Sequence, residues 1–406
     1  MALFIGTAAE SVLGLNSYAV AGGLMLSGSV LPYLQKEGLK GVAMMAVSPD
    51  VTAIAGYAGD HKGELFTTML MGMEAANHLT IQPNVKDQTP LIQLKVTKGL
   101  RPYNSKKQME SGLEYKNRIL KTGLGKKELV IDVQKYRNTY LSKYLGASAH
   151  DRKIPFAEFT AEEIVKEFGD EINSDVIYFG LDKSRFSAFS GSATYAVGDL
   201  VTHNDSEGNI SYWIVLEATT AGQTPLTHAA KFEKINGRAV ADGLQIHINE
   251  AIDDGDLVEV TVGEIDNDTV HAIDAVKKVY RTLPKAYRRG VCFAYMSFDQ
   301  FDLLEDDMDE KQKYTVTDPS TDRVLENAQY VPGTGRKLIA QACGWMGDSE
   351  RIICTPKENI IVGTDLLSDA NQIKVNPDLW EDEMGLLFNV GINFAVPEAM
   401  AINDRD

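Results

Sequence analysis

The chain has 406 residues, of which 44% are hydrophobic and 24% charged, and it carries a formal net charge of −17. This length and composition predict a globular protein with a large core and more than one structural unit. The negative charge excludes a simple nucleic-acid-binding protein, because a surface that binds phosphates needs an excess of Lys and Arg. The three cysteines, Cys292, Cys343 and Cys354, form no C-x-x-C pair and are too scattered for a disulfide framework, so buried free thiols are expected.

The apolar run at residues 12–32 does not have the pattern expected of a membrane span or a signal peptide. Gly, Ser and Asn interrupt it repeatedly, and no basic residue precedes it. We expect it to pack against other protein surfaces, in a chain made in the cytoplasm with no membrane partner.

The next stretch of the chain contains the most unusual charge pattern. Residues 62–80 have the apolar spacing of a helix, and residues 81–96 have the prolines and alternation of an extended segment. Residues 97–128 are basic, have few large apolar side chains and include glycines at 112, 123 and 125. This composition predicts a long loop or hairpin. Residues 126–145 read first as a strand and then as a helix.

Residues 85–144 contain fourteen Lys and Arg against five Asp and Glu, a local balance of +9, so the rest of the chain carries −26. This asymmetry predicts a basic arm that lies against an acidic surface, either of a neighbouring subunit or of its own body. A solvated basic hairpin is the alternative.

A long helix is the clearest element of the sequence. Thr160 with Glu163 has the spacing of a capping box, and apolar residues then recur along one face at 164, 168 and 172. A strand is predicted at 175–181 and a linker at 184–192. Beyond residue 238 the pattern is helix, strand, helix, then a helix that starts at Ser297 and several strands, so the fold class is mixed α+β.

A small β module is predicted between these parts, as three strands of about fifty residues with an aromatic core. It resembles the small chitin- and cellulose-binding β modules, whose pattern is Y-x-x-G-D-x-V followed by a T-x-G-x-x-P turn and a closing Trp. The matching residues are Tyr195, Gly198, Asp199, Val201, Thr220, Gly222 and Pro225. The closing position is Phe232 instead of Trp, and Trp213 stands where Tyr is usual, which puts sugar binding in doubt.

No catalytic, cofactor or metal site is predicted. The glycines near Gly125 lack the spacing of a phosphate loop, and the run at 332–337 lacks the context of a dinucleotide site. The seven histidines never fall within five residues of one another, so helical pairs of metal ligands are excluded. The acidic runs at 253–256 and 305–310 have the character of solvated faces or helix ends rather than cation sites.

Taken in chain order, these elements resemble the major capsid proteins of tailed bacteriophages, which have the Hong Kong 97-like fold. The resemblance covers most of residues 62–403. It rests on the order and composition of the predicted elements, and no short sequence motif supports it. The segments that carry it are "VKDQTPLIQLKVTKGLRPYN" (85–104), "LVIDVQKYRNTYLSKY" (129–144), "HAIDAVKKVYRTLPKAYRRG" (271–290) and "ENIIVGTDLLSDANQIKVNPDLWEDEMGLLFNVGINFAVPEA" (358–399).

The resemblance implies a division of the chain into the parts of that fold. The expected parts are an N-terminal extension (1–60), an N-arm (61–99), an E-loop (100–130), a P-domain (131–186) with its spine helix at about 158–173, an inserted small β domain (187–238), an A-domain (239–365) and a return to the P-domain with the C-terminus (366–406). The extension has no counterpart in the minimal fold, and we expect it to be retained and to pack against neighbouring subunits.

The same resemblance implies a subunit that assembles with itself into hexamers and pentamers of an icosahedral shell in the virion. The shell would enclose double-stranded DNA without reading its sequence and would bind a portal and other virion proteins. The expected inter-subunit residues are Lys106, Lys107, Lys116, Arg118, Lys121, Lys126 and Lys127 of the E-loop. Tyr195, Tyr212 and Trp213 form a candidate platform for a surface glycan or a subunit contact; adjacent residues such as Tyr212 and Trp213 point to opposite faces of a strand.

Three other functions are open on the sequence alone. The chain could be a carbohydrate-binding or adhesion protein in which residues 190–236 carry the function, although no secretion signal precedes them and the basic arm is then unexplained. It could form an encapsulin-type shell of the same fold around cargo enzymes, which the large insert and long N-terminal extension disfavour. The last is an enzyme of a class that no motif reveals.

Overall fold

The computed structural model describes residues 73–96, 102–103, 112–131, 156–310, 327–365, 372–377 and 382–405. The chain divides into two compact units. One consists of residues 1–61, 128–161 and 374–384, and the other of residues 62–127, 162–373 and 385–406. Most of the described strands, the core and the surfaces analysed below belong to the second unit.

The described helices and strands alternate along the chain. The α-helices are α1 (Glu74–His78), α2 (Phe156–Glu171), α3 (Leu244–Asp253), α4 (Ala272–Thr282) and α5 (Phe298–Glu310). The strands are β1 (Thr80–Gln82), β2 (Gln88–Val96), β3 (Leu113–Lys121), β4 (Gly123–Ile131), β5 (Ser187–Ala188), β6 (Leu200–Asn204), β7 (Ile210–Val215), β8 (Phe232–Lys234), β9 (Glu259–Val260), β10 (Cys292–Met296), β11 (Ala328–Tyr330), β12 (Leu338–Ala342), β13 (Ile353–Thr355), β14 (Ile360–Thr364), β15 (Gln372–Pro377), β16 (Asp382–Phe394) and β17 (Ala401–Asn403). The predicted mixed α+β class is confirmed.

The main core surrounds a sheet with the order β11-β12-β10-β13-β17-β9. Its central strands β10 and β12 are parallel and almost wholly apolar, as expected of strands buried on both faces. Helices α4 and α5 contribute Ile273, Val276, Val279, Phe301 and Leu304 to the same core. The predicted helix–strand–helix order after residue 238 is confirmed by α3, β9 and α4, and α5 begins directly after Ser297 as predicted. Cys292, Cys343 and Cys354 are buried and free.

A second sheet supports the basic segment of the chain. Strand β1 runs parallel to β14, and β14 runs antiparallel to β16, with Val362 opposite Ile392. Strand β4 also pairs with β16. Separately, β2 and β3 pair antiparallel over nine residues each, from Gln88 opposite Lys121 to Val96 opposite Leu113. Of the loop or hairpin predicted at 97–128, the described part is therefore a hairpin arm that continues directly into β4.

The long helix was predicted correctly, but both of its ends differ from the prediction. Helix α2 begins at Phe156, so Thr160 lies inside the helix and is not its N-cap. The strand predicted at 175–181 is wrong: a π-helical turn spans Ile172–Val176, and the Ile177 N–H donates to the Ile172 carbonyl over 3.3 Å. The carbonyls of Ile177 and Tyr178 accept N–H groups from the start of α3, so this apolar run is buried in a turn instead of a strand.

The helix predicted at 62–80 is described only from residue 73. Helix α1 ends at His78, and Thr80 already belongs to β1 because it pairs with Ile361 of β14. Residues 132–145, predicted to end a strand at Val133 and to continue as a helix, lie outside the described residues, as does the extension 1–60.

The module predicted at 187–238 forms a separate sheet with the order β5-β6-β7-β8. It has four strands where three were predicted, because the short β5 pairs parallel with β6. Its core comprises Val201, Trp213, Val215 and Phe232, with Phe189 and Tyr195 packed against them. The aromatic core expected from the sequence is present.

The buried carboxylate of Asp307 links α5 to α4. Its side chain is fully buried, one oxygen accepts the Ile273 N–H over 3.0 Å, and the other lies 3.0 Å from His271 Nδ1. Asp307→Ala should lower the free energy of unfolding by about 1–3 kcal/mol, because it leaves a buried N–H at the helix start without an acceptor. Thermal or urea unfolding followed by circular dichroism measures this loss. Asp306→Ala, on the exposed face of α5, is the matched control and should change stability little.

Candidate functional site

The two faces of the β2–β3 ribbon, called the hairpin below, have opposite character. One face, the body face, comprises Thr89, Leu91, Gln93, Lys116, Arg118 and Leu120. The other, the outer face, comprises Pro90, Ile92, Leu94, Tyr115, Asn117 and Ile119. Because opposite residues of paired strands share a face, each face is continuous across both strands.

The body face is attached to the second sheet by a small apolar core. Leu91 and Leu120 are buried together with Val85, and Ile361 and Ala395 pack against them. The approach is close, because a Cβ at Gly363 would lie 2.8 Å from the Leu120 side chain.

Side-chain amides of β16 hold the backbone on both sides of this core. Asn393 Nδ2 donates to the Ile119 carbonyl over 2.8 Å, and Asn389 Nδ2 donates to the Val85 carbonyl over 3.0 Å. The base of the hairpin is therefore fixed by packing and by hydrogen bonds.

Arg118 and Lys116 attach the hairpin electrostatically to the end of α3. Asp256 accepts from Lys116 Nζ at 3.2 Å and from Arg118 Nη2 at 3.4 Å. The Arg118 guanidinium also lies 4.2 Å from the ring centroid of Phe394. The hydrogen bond from Lys116 and the two positive charges lower the pKa of Asp256. The acidic run at 253–256 thus supplies a partner for the basic arm.

Two further lysines of the predicted set have acidic partners in the same chain. Lys121 Nζ donates to Asp182 at the base of the hairpin, and Lys127 Nζ donates to Glu171 over 2.6 Å. Burial opposes the ionisation of Asp182, but the hydrogen bonds from Lys121 and Ser184 outweigh it and bring its pKa to about 2. The hydrogen bond to Asp182 raises the pKa of Lys121. Four residues of the predicted set therefore contact carboxylates of the same chain, and their role between subunits stays a prediction.

Three lysines of the predicted set remain. Lys126 is exposed on β4, and Lys106 and Lys107 lie outside the described residues.

The outer face is apolar and open. The exposed fractions are 64% for Ile92, 50% for Leu94, 65% for Tyr115 and 55% for Ile119. Sequence reasoning missed this surface because it predicted residues 81–96 as an extended segment and residues 97–128 as a separate basic loop or hairpin, and did not pair the two. The alternation of Pro90, Ile92 and Leu94 with Leu91 and Gln93 is the signal that could have revealed two distinct faces.

The three aromatic residues of the predicted glycan or contact platform do not share one exposed face. Trp213 is 8% exposed in the module core, where Tyr195 packs beside it and stacks on Phe189 with ring centroids 5.2 Å apart. Tyr212 lies on the opposite face of β7, with its ring edge against Phe186 at 4.8 Å. Of the three, Trp213 is therefore not available for stacking against a sugar ring.

In the described part of the chain, no group of three or more His, Cys, Asp and Glu side chains is arranged to hold a metal ion. Over the same residues, no helix has the length and apolar character that a membrane span requires.

Comparison with known proteins finds similarity only among solved structures. No protein-family model matches the chain, and no curated protein matches it in sequence. Three of the solved structures that it matches are a procapsid and two capsids. The satellite phage P4 procapsid matches with 13% identity and a TM-score of 0.48 over 84% of this chain and 90% of that chain. The capsid of an empty GTA particle matches with 9% identity and a TM-score of 0.43, over 81% and 88% of the two chains. The capsid of Myoviridae phage XM1 matches with 8% identity and a TM-score of 0.42, over 82% and 90%.

The Lys121–Asp182 pair should make stability depend on pH in the acidic range. The pKa of Asp182 is about 2 in the folded protein against an ordinary value of 3.8, so its contribution is present above pH 4 and is lost as the pH falls towards 2. We expect a contribution of only about 1 kcal/mol, because water screens a pair whose lysine is more than half exposed. The stability difference between wild type and Asp182→Asn should shrink from pH 6 to pH 2.5 in urea titrations. A difference that stays constant with pH would contradict this assignment.

Removing the Asp256 carboxylate should loosen the part of the hairpin around Lys116 and Arg118, the two residues that it binds. In Asp256→Asn, the amides of β3 should exchange hydrogen about tenfold faster, the equivalent of about 1.4 kcal/mol of lost local stability. Hydrogen exchange with mass spectrometry measures this on peptides that cover 113–121. Asp254→Asn, an exposed neighbour, is the control, and equal exchange in both variants would show that Asp256 does not hold the hairpin.

Proposed function

We propose that this chain is the structural subunit of a viral capsid, a tailed-phage major capsid protein with the Hong Kong 97-like fold. In this proposal it assembles with itself into the hexamers and pentamers of an icosahedral shell. The observation that carries the proposal is the hairpin, an extended ribbon whose one face is fixed to the body while the other presents a row of exposed apolar side chains. A monomeric protein rarely leaves such a patch uncovered, and a patch of this kind marks a protein–protein contact.

The partner that covers the outer face is a second copy of this chain. The body face is already occupied by the protein's own sheet, through Leu91, Leu120 and Arg118, so the hairpin cannot turn its outer face inward without breaking those contacts. A two-stranded ribbon alone is marginally stable in water, so an apolar contact on its free face also completes its packing. The fixed base gives every copy the same geometry, as a closed, repeating shell requires.

The net charge of the chain supports the proposal that the shell encloses double-stranded DNA. A formal charge of −17 repels DNA phosphates, which suits a container that encloses double-stranded DNA without adhering to it. A portal and other virion proteins complete the proposed partners, and the virion is the proposed location.

The β5–β8 module is proposed to project from the shell as an inserted domain for contact between subunits or decoration. It has a core of its own, and it exposes Val197 and Ile210, each 66% accessible. The alternative, a carbohydrate-binding or adhesion protein, loses support because Trp213 is buried in that core.

The mass of the particles that the purified chain forms tests the proposal. The purified chain of residues 1–406 should form rings or closed shells of megadalton mass by light scattering and negative-stain electron microscopy. A chain that stays monomeric, both alone and when co-expressed with a scaffolding protein and portal, would contradict it. A monomer that instead binds chitin or cellulose would favour the adhesion alternative.

A charge on the outer face should block assembly without unfolding the subunit. We expect Ile92→Asp to lower the assembled fraction by about tenfold or more, because an unpaired carboxylate is costly to bury in an apolar contact. Size-exclusion chromatography measures the fraction, and circular dichroism confirms that the subunit remains folded. Val291→Asp, which places the same charge at an exposed apolar residue away from the hairpin, is the control and should assemble normally. Equal assembly of the two variants would exclude the outer face from the interface.

A further inference from the structure

A cavity of about 240 Å³ lies beside the end of α2, between β4, β16 and the chain that leaves the module. Its apolar wall comprises Phe168, Ile172, Val176, Val240, Phe388 and Val390. The rings of Phe168 and Phe388 meet edge to face with centroids 6.5 Å apart. A water molecule occupies about 30 Å³ in the liquid, so the cavity has room for about eight waters or a ligand of similar volume.

The π-helical turn Ile172–Val176 shapes one side of this cavity. Ile172, Asp175 and Val176 of this turn all line the cavity. Turns of this type are rare and occur frequently at functional sites.

The charged residues of the lining are Lys126, Lys127, Glu171 and Asp175, and of these Lys126 is exposed. Lys127 is engaged by Glu171 over 2.6 Å. Asp175 is half-buried, and its carboxylate lies directly against Gly237, where a Cβ would come within 2.2 Å of Oδ2. Burial raises the pKa of Asp175, and the charges of Glu171 and Glu233 add to the rise, against the opposing effects of Arg238 and Ser174.

We propose that this cavity binds a linear alkylammonium ligand, with the ammonium group on Asp175 and the alkyl chain against Phe168 and Phe388. An apolar wall with a carboxylate at one side matches a ligand that has an aliphatic chain and a cationic end. A carboxylate ligand fits less well, because Glu171 already neutralises Lys127 and the ligand would lie beside Asp175. This inference concerns the subunit itself and does not depend on shell assembly.

Calorimetric titration of the full chain with 1-aminopentane, which is protonated at neutral pH, tests the proposal. We expect saturable binding with one site per chain, and much weaker binding of pentanoate and 1-pentanol, which have similar chains without the positive charge. Asp175→Asn should weaken 1-aminopentane binding by about tenfold, the equivalent of about 1.4 kcal/mol. Asp254→Asn, which removes an exposed carboxylate outside the cavity, is the matched control and should bind as the wild type does.

A second variant tests the cavity without changing its charge. Gly125→Ala adds a methyl group 3.4 Å from Val240 Cγ1 and 3.8 Å from the Phe388 carbonyl oxygen, which are ordinary contacts, so it should fold and narrow the cavity. It should also weaken 1-aminopentane binding. Binding that neither variant reduces, that Asp254→Asn reduces equally, or that pentanoate matches would overturn the proposal.

Discussion

The position of the hairpin depends on Arg118, which lies between a carboxylate and an aromatic ring. It donates to Asp256 after the end of α3 and stacks over Phe394 near the end of β16. The guanidinium is planar and permanently charged, so it can satisfy a carboxylate at its edge and a ring at its face together. A lysine at this position would keep the charge but lose the stacking surface. Since the side chain is only 18% exposed, water screens these contacts less than it screens an ordinary surface pair.

This attachment determines what the rest of the ribbon can do. With Leu91, Leu120 and Arg118 committed to the body, the alternate residues of both strands must face away from it. Those residues are mainly apolar, so the free subunit has a hydrophobic cost that only association removes. The surface that supports assembly is therefore energetically unfavourable in the isolated chain. The rigid base of the hairpin limits the directions from which a partner can approach.

The connection between the module and the body is also stiff. Arg185, on the entering segment, pairs with Asp242 on the leaving segment and with Glu250 of α3. Asn236 accepts the Tyr212 N–H over 2.8 Å, and Arg238 lies over the Phe179 ring at 5.1 Å. Both connecting segments are thus tied down within a few residues of the module. The proposed ligand cavity is lined by the leaving segment, so a ligand there would stabilise the same connection.

The sequence by itself determined the elements whose pattern is local. Apolar periodicity located α2, α3, α4 and α5, the apolar runs located β10, β12, β14 and β16, and aromatic spacing located the core of the module.

The tertiary structure decided the conformation of segments whose local signals favour more than one structure. Residues 175–181 have the composition of a strand but form a turn, because the carbonyls of Ile177 and Tyr178 are acceptors for the start of α3. Charge counting predicted a basic arm against an acidic surface, but the partners Asp182 and Asp256 are far from that arm in sequence, and only the folded chain brings them to it. The apolar outer face was hidden for the same reason: whether Ile92 or Leu91 faces the body depends on the packing of Leu91 against a distant sheet, which no local pattern records.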